Sequence, residues 1–133
     1  MAKSILLSLL LLVAAVPVGA ADGPAEPKLV AVKFHADWCG SCKKMGPLFE
    51  DLSNKYDGKS VLFVTLDLTN GTTRAQAEFL AAALGFGDAY AAHPGTGFVL
   101  LLDGATRKPL VKLTADQSIK EMGAELLRQL EAS

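Results

Sequence analysis

A short apolar segment runs directly into the two cysteines of the chain and then into an amphipathic segment. Residues 29–35 read LVAVKFH, which predicts a buried strand, and WCGSCK follows at residues 38–43. Beyond the cysteines, apolar side chains recur at helical spacing at Met45, Leu48, Phe49 and Leu52. The segment therefore predicts a strand, a cysteine turn and a helix in succession, with a kink at Pro47 and an end at Asp57-Gly58.

The sequence after this helix repeats the alternation of strand and helix. Residues 61–68 predict a second strand, and Thr73 with Gln76 predicts the capping box of a helix that runs to Gly85. Residues 98–102 and 110–113 predict two antiparallel strands joined at the Asp103-Gly104 turn.

A last helix closes the chain, and Thr114 or Asp116 is its predicted cap. Its apolar stripe comprises Ile119, Met122, Leu126, Leu127 and Leu130. The order β-α-β-α-β-β-α predicts an α/β fold, a three-layer sandwich with a mixed central sheet.

The first residues have the pattern of a targeting segment. Residues 1–21 combine Lys3, an apolar run and small residues near the end, which predicts a secretory signal peptide. The apolar run is shorter than the roughly 20 residues of a spanning helix, and an uncleaved anchor is the alternative. Residues 22–28 are Pro-rich and predict a linker, so residues 29–133 form the predicted domain. We expect export to a periplasm, where disulfides persist.

Charge and size restrict the partners. The formal net charge of -1, without a long run of Lys or Arg, gives no electrostatic footprint for nucleic acid or for an anionic membrane surface. The chain has 133 residues, half of them hydrophobic, which is enough for one core. We expect a monomer that binds no nucleic acid.

The cysteine pair is placed for redox chemistry. Cys39 falls at a predicted helix N-terminus, where unpaired N–H groups favour a thiolate and lower the thiol pKa. Cys42 lies one turn further on the same side and can resolve a mixed disulfide. Gly40 and Ser41 are small enough for the turn to close. Trp38 adds an apolar surface on which a peptide can dock.

Two other functions of the pair stay open, a structural disulfide and a Cu(I) site. A disulfide that only staples the fold would close a very short loop, which removes little entropy from the unfolded chain. A zinc site needs four ligands and a lone CxxC supplies two. A Cu(I)-binding module would need a further ligand, and Met45, His35 or His93 could supply it, although Met45 lies on the apolar stripe.

WCGSCK, with Pro47 five residues after Cys42, resembles the thioredoxin superfamily over nearly all of residues 29–133. Within it, ADWC, CK and VTLDLTN look most like the C-terminal periplasmic domain of the thiol:disulfide interchange protein DsbD. The resemblance implies a thioredoxin fold and thiol–disulfide exchange at Cys39 and Cys42, with no cofactor. It also implies disulfide-containing client proteins and an electron donor, either a membrane protein or a soluble thiol.

The chain departs from this family at two neighbours of the cysteines, Lys33 and Ser41. Lys33 stands where family members have a buried carboxylate that assists proton transfer. It either acts on the thiols from a partly buried position or is solvated without a role. Ser41 replaces a common proline and should shift the redox potential. His35 and Asp37 flank the motif, either adjusting the Cys39 thiolate or simply solvated.

The cis-proline of the family is also displaced or missing. Counting back from the Asp103-Gly104 turn puts Thr96 or Gly97 at its position, whereas the nearest proline is Pro94, followed by Gly95. The segment GFGDAYAAHPGTG is longer than a tight connection needs, which is typical of a loop that contacts ligand. His93, in this segment, is either a titrating neighbour of the cysteines or a solvent-exposed loop residue.

Overall fold

The structure, a computed structural model, describes residues 25–133. The predicted signal peptide and the first three residues of the predicted linker lie outside this range. The elements in chain order are β1 (Leu29–His35), α1 (Gly40–Lys55), β2 (Val61–Asp67), α2 (Gly71–Ala83), α3 (Gly87–Ala92), β3 (Phe98–Asp103), β4 (Pro109–Thr114) and α4 (Ile119–Ala132).

The four strands form one mixed sheet in the order β2-β1-β3-β4. β1 runs parallel to β2 and antiparallel to β3, and β3 and β4 form an antiparallel hairpin. A right-handed crossover through α1 is the usual way to join parallel neighbours such as β1 and β2. The predicted mixed central sheet is confirmed.

Helices cover both faces of the sheet. β1 is apolar at nearly every position, as is typical of a strand that is buried on both faces. On one face, Val30, Val32 and Phe34 pack in a cluster with α2 and α3. On the other, Leu29 and Ala31 pack with apolar residues of α1 and α4. The predicted three-layer arrangement is therefore confirmed, and β1 lies at its centre.

The prediction of a long loop before β3 is wrong in part. The segment predicted as a long loop contains the short helix α3, which buries only Ala89. Six residues with one buried position carry too little periodicity to indicate a helix.

Both predicted helix caps are wrong. The N-cap of α2 is Asn70, and Thr73, the third residue of the helix, completes its capping box. The N-cap of α4 is Ser118, which forms a capping box with Glu121. In the stripe of α4, Met122 and Leu126 are fully buried, whereas Leu127 is exposed.

Residues 25–28 pack across the end of the sheet opposite the cysteines. Lys28 N donates to Ser60 O (2.8 Å), just before β2, and Gly104 N donates to Lys28 O (2.8 Å). A Cβ on Gly104 would lie 1.7 Å from Pro27 O. This end of the molecule therefore needs a residue without a side chain at position 104. No helix within residues 25–133 combines the length and apolar character that crossing a membrane requires.

Candidate active site

The two cysteines lie where β1 ends and α1 begins. Cys39 is the N-cap of α1, with extended backbone, and Cys42 belongs to the first turn of the helix. They form a disulfide with a Cα–Cα distance of 5.2 Å, inside the range that disulfides adopt. Cys39 is 7% exposed and Cys42 2%. Cys39 is thus the sulfur that solvent and a partner can reach more readily.

Hydrogen bonds distinguish the two sulfurs. Cys42 N donates to Cys39 Sγ (3.2 Å), and Ser41 Oγ lies 3.4 Å from the same sulfur. Cys42 Sγ lies 3.7 Å from Phe34 O, a carbonyl that can accept a hydrogen bond from a reduced thiol. The donors around Cys39 suit a negative sulfur, whereas the carbonyl beside Cys42 suits a protonated one.

Trp38 is fixed by the loop after β2. Its side chain is 61% exposed, yet its Nε1 donates to Thr69 O (3.0 Å), and Asp37 N donates to Thr69 Oγ1 (3.0 Å). Thr69 N in turn donates to Asp67 Oδ1 (2.9 Å). Hydrogen bonds from the Thr69 hydroxyl and N–H hold the pKa of the Asp67 carboxyl below its ordinary value. The exposed indole is therefore presented in one orientation.

Sequence reasoning missed this support for Trp38. Asp67 and Thr69 follow a buried strand, and β1 and β2 are parallel, so their carboxyl ends meet at one edge of the sheet. The predicted parallel pairing of these two strands could therefore have indicated that Thr69 lies near Trp38. The flanking His35 contacts Asp37, with Nε2 3.0 Å from Oδ1.

Lys33 lies on the α1 side of the sheet and is half-buried. Its Nζ sits 5.0 Å from the centroid of the Phe49 ring, a cation–π distance. Partial burial lowers its pKa from the ordinary value, and the Glu50 carboxylate opposes this shift. Lys33 is thus neither a freely solvated side chain nor a deeply buried one.

Gly97 is the residue that faces the cysteines. Its φ is +87°, and a Cβ there would lie 2.0 Å from Ser41 Oγ and 3.3 Å from Cys39 Sγ. Its N–H donates to Phe34 O (2.8 Å), which holds the segment against the end of β1. Counting back from the Asp103-Gly104 turn left Thr96 or Gly97 as the residue opposite the cysteines, and the structure has Gly97 there. All peptide bonds within residues 25–133 are trans, including that of Pro94.

A cavity of about 250 Å³ opens beside Trp38. Leu68 and Tyr90 form apolar walls, and Arg74 and His93 add polar groups. The predicted neighbours Pro94, Gly95 and Thr96 also line it. They are thus brought to Trp38, and Thr96 leads directly into Gly97 beside the disulfide.

The candidate copper ligands are not assembled around the sulfurs. Met45 is fully buried in the cluster between the sheet and α1 and α4, whereas Cys39 and Cys42 cluster with Ala36. His93 Nδ1 donates to Ala89 O (2.8 Å). In the part of the chain that the structure describes, no three His, Cys, Asp or Glu residues form a group that could hold a metal ion.

Comparisons with known proteins agree with this geometry. Residues 24–81 match the thioredoxin family model. A "Thioredoxin H-type" of Chlamydomonas reinhardtii is 45% identical over 62 residues, 47% of this chain and 54% of the relative. A thioredoxin of Ictalurus punctatus is 50% identical over 44 residues, 33% of this chain and 41% of the relative. The chain thus spans about half the length of these relatives or less.

Among solved structures, the thioredoxin Mala s 13 of Malassezia sympodialis superposes with a TM-score of 0.54 at 21% identity. The superposition covers 77% of this chain and 78% of that one, and it includes the region beyond residue 81. The predicted fold is therefore confirmed. The chain has the thioredoxin fold, and its residues 24–81 are similar to thioredoxins.

Proposed function

We propose that the chain is a thiol–disulfide oxidoreductase that reduces disulfides of client proteins. The observation that carries the proposal is the disulfide between the N-cap residue of α1 and the first turn of that helix. Cys39 is the more exposed sulfur and accepts the Cys42 N–H. A helix N-terminus stabilises a thiolate at this position, and the thiolate is the attacking species in exchange.

The reaction follows from the different surroundings of the two sulfurs. The Cys39 thiolate attacks a client disulfide, so a Cys39–client S–S bond forms and one client thiolate leaves. Cys42 then loses its proton to solvent or to that thiolate, and its sulfur attacks Cys39. The second client thiolate leaves and the Cys39–Cys42 disulfide forms. Two electrons pass to the client, and an external thiol donor restores the dithiol.

Trapping of the mixed disulfide tests the order of attack. Cys42→Ser lacks the resolving thiol, so a disulfide-containing test protein should remain bound to Cys39 and run as a larger band on a non-reducing gel. Cys39→Ser is the matched control and should trap nothing. Trapping by Cys39→Ser but not by Cys42→Ser would reverse the assigned roles.

A redox titration of residues 22–133 tests the direction of exchange. Thiol alkylation and the fluorescence of Trp38, the only tryptophan, both report the state of the pair. A two-electron transition near roughly −270 mV, as in thioredoxin, is expected for a reductant, whereas one near roughly −120 mV would indicate an oxidant. The absence of any reversible transition would refute exchange chemistry.

We also propose that the protein acts as a monomer in a periplasm, in the manner of the C-terminal domain of DsbD. The signal-peptide pattern of residues 1–21 and the motifs ADWC and VTLDLTN support this. The electron donor would then be a membrane protein or a soluble thiol. Fractionation of cells that express the full chain, with the mass of the mature N-terminus, tests the location. An unprocessed chain in the cytosolic fraction would contradict it.

A further inference from the structure

We infer that the cavity beside Trp38 is a subsite for a carboxylate side chain of the client segment that approaches Cys39. This inference rests on the proposed function and adds a class of client to it. The cavity belongs to the same surface as the disulfide. Trp38 immediately precedes Cys39, and Thr96, on the opposite side, immediately precedes Gly97.

The cavity wall carries a cation that has no anionic partner. Arg74 Nε donates to Leu68 O (3.1 Å), which fixes the guanidinium at the cavity. Its two terminal nitrogens make no hydrogen bond or ion pair to any acceptor within residues 25–133. None of the residues that line the cavity is acidic. A carboxylate is the group that a guanidinium fork binds best.

The other walls suit a peptide chain. Trp38, Leu68 and Tyr90 supply apolar surface for the aliphatic part of a Glu side chain or for a neighbouring apolar residue. His93 uses Nδ1 to donate to Ala89 O, so its Nε2 is left without a partner among the described residues and can accept a peptide N–H. The walls therefore offer apolar contact, an N–H acceptor and a cation within about 250 Å³.

The rigidity of the walls favours selection of clients. Trp38 is tied to Thr69 O and Arg74 to Leu68 O, and these two carbonyls belong to consecutive residues directly after β2. One short segment thus fixes both an apolar wall and the cation. A side chain that is already held loses less entropy when a ligand binds. We therefore expect Arg74 to discriminate between acidic and neutral client segments.

The first test compares rates of disulfide reduction for matched peptides. Each pair differs only by Glu or Gln, placed two to five residues before or after the peptide cysteine. In at least one register, kcat/KM should favour Glu by about two- to fivefold, the ratio expected of a partly exposed ion pair, and 0.5 M salt should reduce it. Arg74→Gln should bring the ratio to about one, while Arg74→Lys keeps part of it. Lys59→Gln makes the same charge change at the opposite end of the sheet and should keep the ratio.

A second test does not depend on exchange. The same peptides with Ser in place of Cys are titrated while Trp38 fluorescence is recorded, and the Glu peptide should bind more tightly in an Arg74-dependent manner. S-methylglutathione, which has carboxylates but cannot exchange, is the small-molecule arm.

The outcomes separate the inference from the proposed function. Equal reduction of Glu and Gln peptides in every register would overturn the subsite and leave the oxidoreductase function standing. Arg74-dependent binding without any exchange would support the subsite and refute the function. A response to S-methylglutathione but to no peptide would overturn the peptide client in favour of a small carboxylated thiol. A Glu preference that persists in Arg74→Gln would remove Arg74 from the subsite.

Discussion

Gly97 shows how one residue sets the distance between two segments of the site. Its backbone passes so close to Ser41 and Cys39 that a methyl group would not fit, and its φ of +87° is the left-handed region that glycine tolerates. The sequence allowed the position opposite the cysteines to be narrowed to two residues by counting. The close approach itself could not be predicted, because it depends on the path of the Pro94–Gly97 backbone.

Gly97→Ala should destabilise the protein by about 1–3 kcal/mol, because the new methyl group overpacks the site and the backbone conformation is strained. Urea unfolding of the oxidised protein measures the loss. Adding Ser41→Gly removes the nearest clashing side chain and should recover part of the loss, while the backbone strain remains. Wild-type stability in Gly97→Ala would mean that the two segments are further apart than the structure has them.

At the scale of the elements, the strands and the long helices were predictable, whereas the N-caps of α2 and α4 were not. β1 and β3 are apolar runs, and the buried residues of α1 recur at helical spacing. These patterns can be seen in the sequence because buried positions require apolar side chains. Near α4, Thr114 and Asp116 were as plausible as Ser118 from residue type alone. Thr114 instead ends β4, and its N–H donates to Gln117 Oε1 (2.8 Å). The choice of cap thus depends on where the preceding strand ends.

Ser118→Ala should lower the free energy of unfolding by about 1 kcal/mol, because it removes the side-chain acceptor of Glu121 N at the N-terminus of α4. Asp116→Ala is the matched control and should change stability by less than about 0.5 kcal/mol, as exposed substitutions do. Both are measured by urea unfolding. Since α4 lies away from the cysteines in the chain, the midpoint of the redox titration should be unchanged in both variants. A larger loss in Asp116→Ala would contradict the observed cap.

For the whole molecule, the parallel direction of the first two strands and the hairpin of the last two were predictable, because connection rules leave few arrangements. The site was predictable only in part. Cys39 and Cys42 stand in one motif, whereas Thr69, Arg74 and His93 come from the β2–α2 loop, α2 and the residue after α3. Their meeting beside Trp38 is a property of the assembled sheet and of α3, which the sequence did not indicate.

Gly104→Ala should destabilise the molecule by about 1–3 kcal/mol, because a methyl group at this position collides with the backbone of residues 27 and 28. Gly46→Ala is the matched control. Its Cβ meets no atom within 4 Å and it lies inside α1, so stability should stay the same or rise by up to about 1 kcal/mol. Thermal unfolding compares the two. Equal stability of both variants would show that residues 25–28 do not need to lie against the β3–β4 turn.

The packing of residues 25–28 across the far end of the sheet also fixes where an attachment can be made. β1 spans seven residues between that segment and the cysteine turn, which is about 20 Å of strand. A fluorophore, an affinity tag or a solid support coupled ahead of residue 25 would therefore leave the sulfurs facing outward. The domain could be immobilised in one orientation, for example on an electrode or a capture resin, with its dithiol presented to the solution.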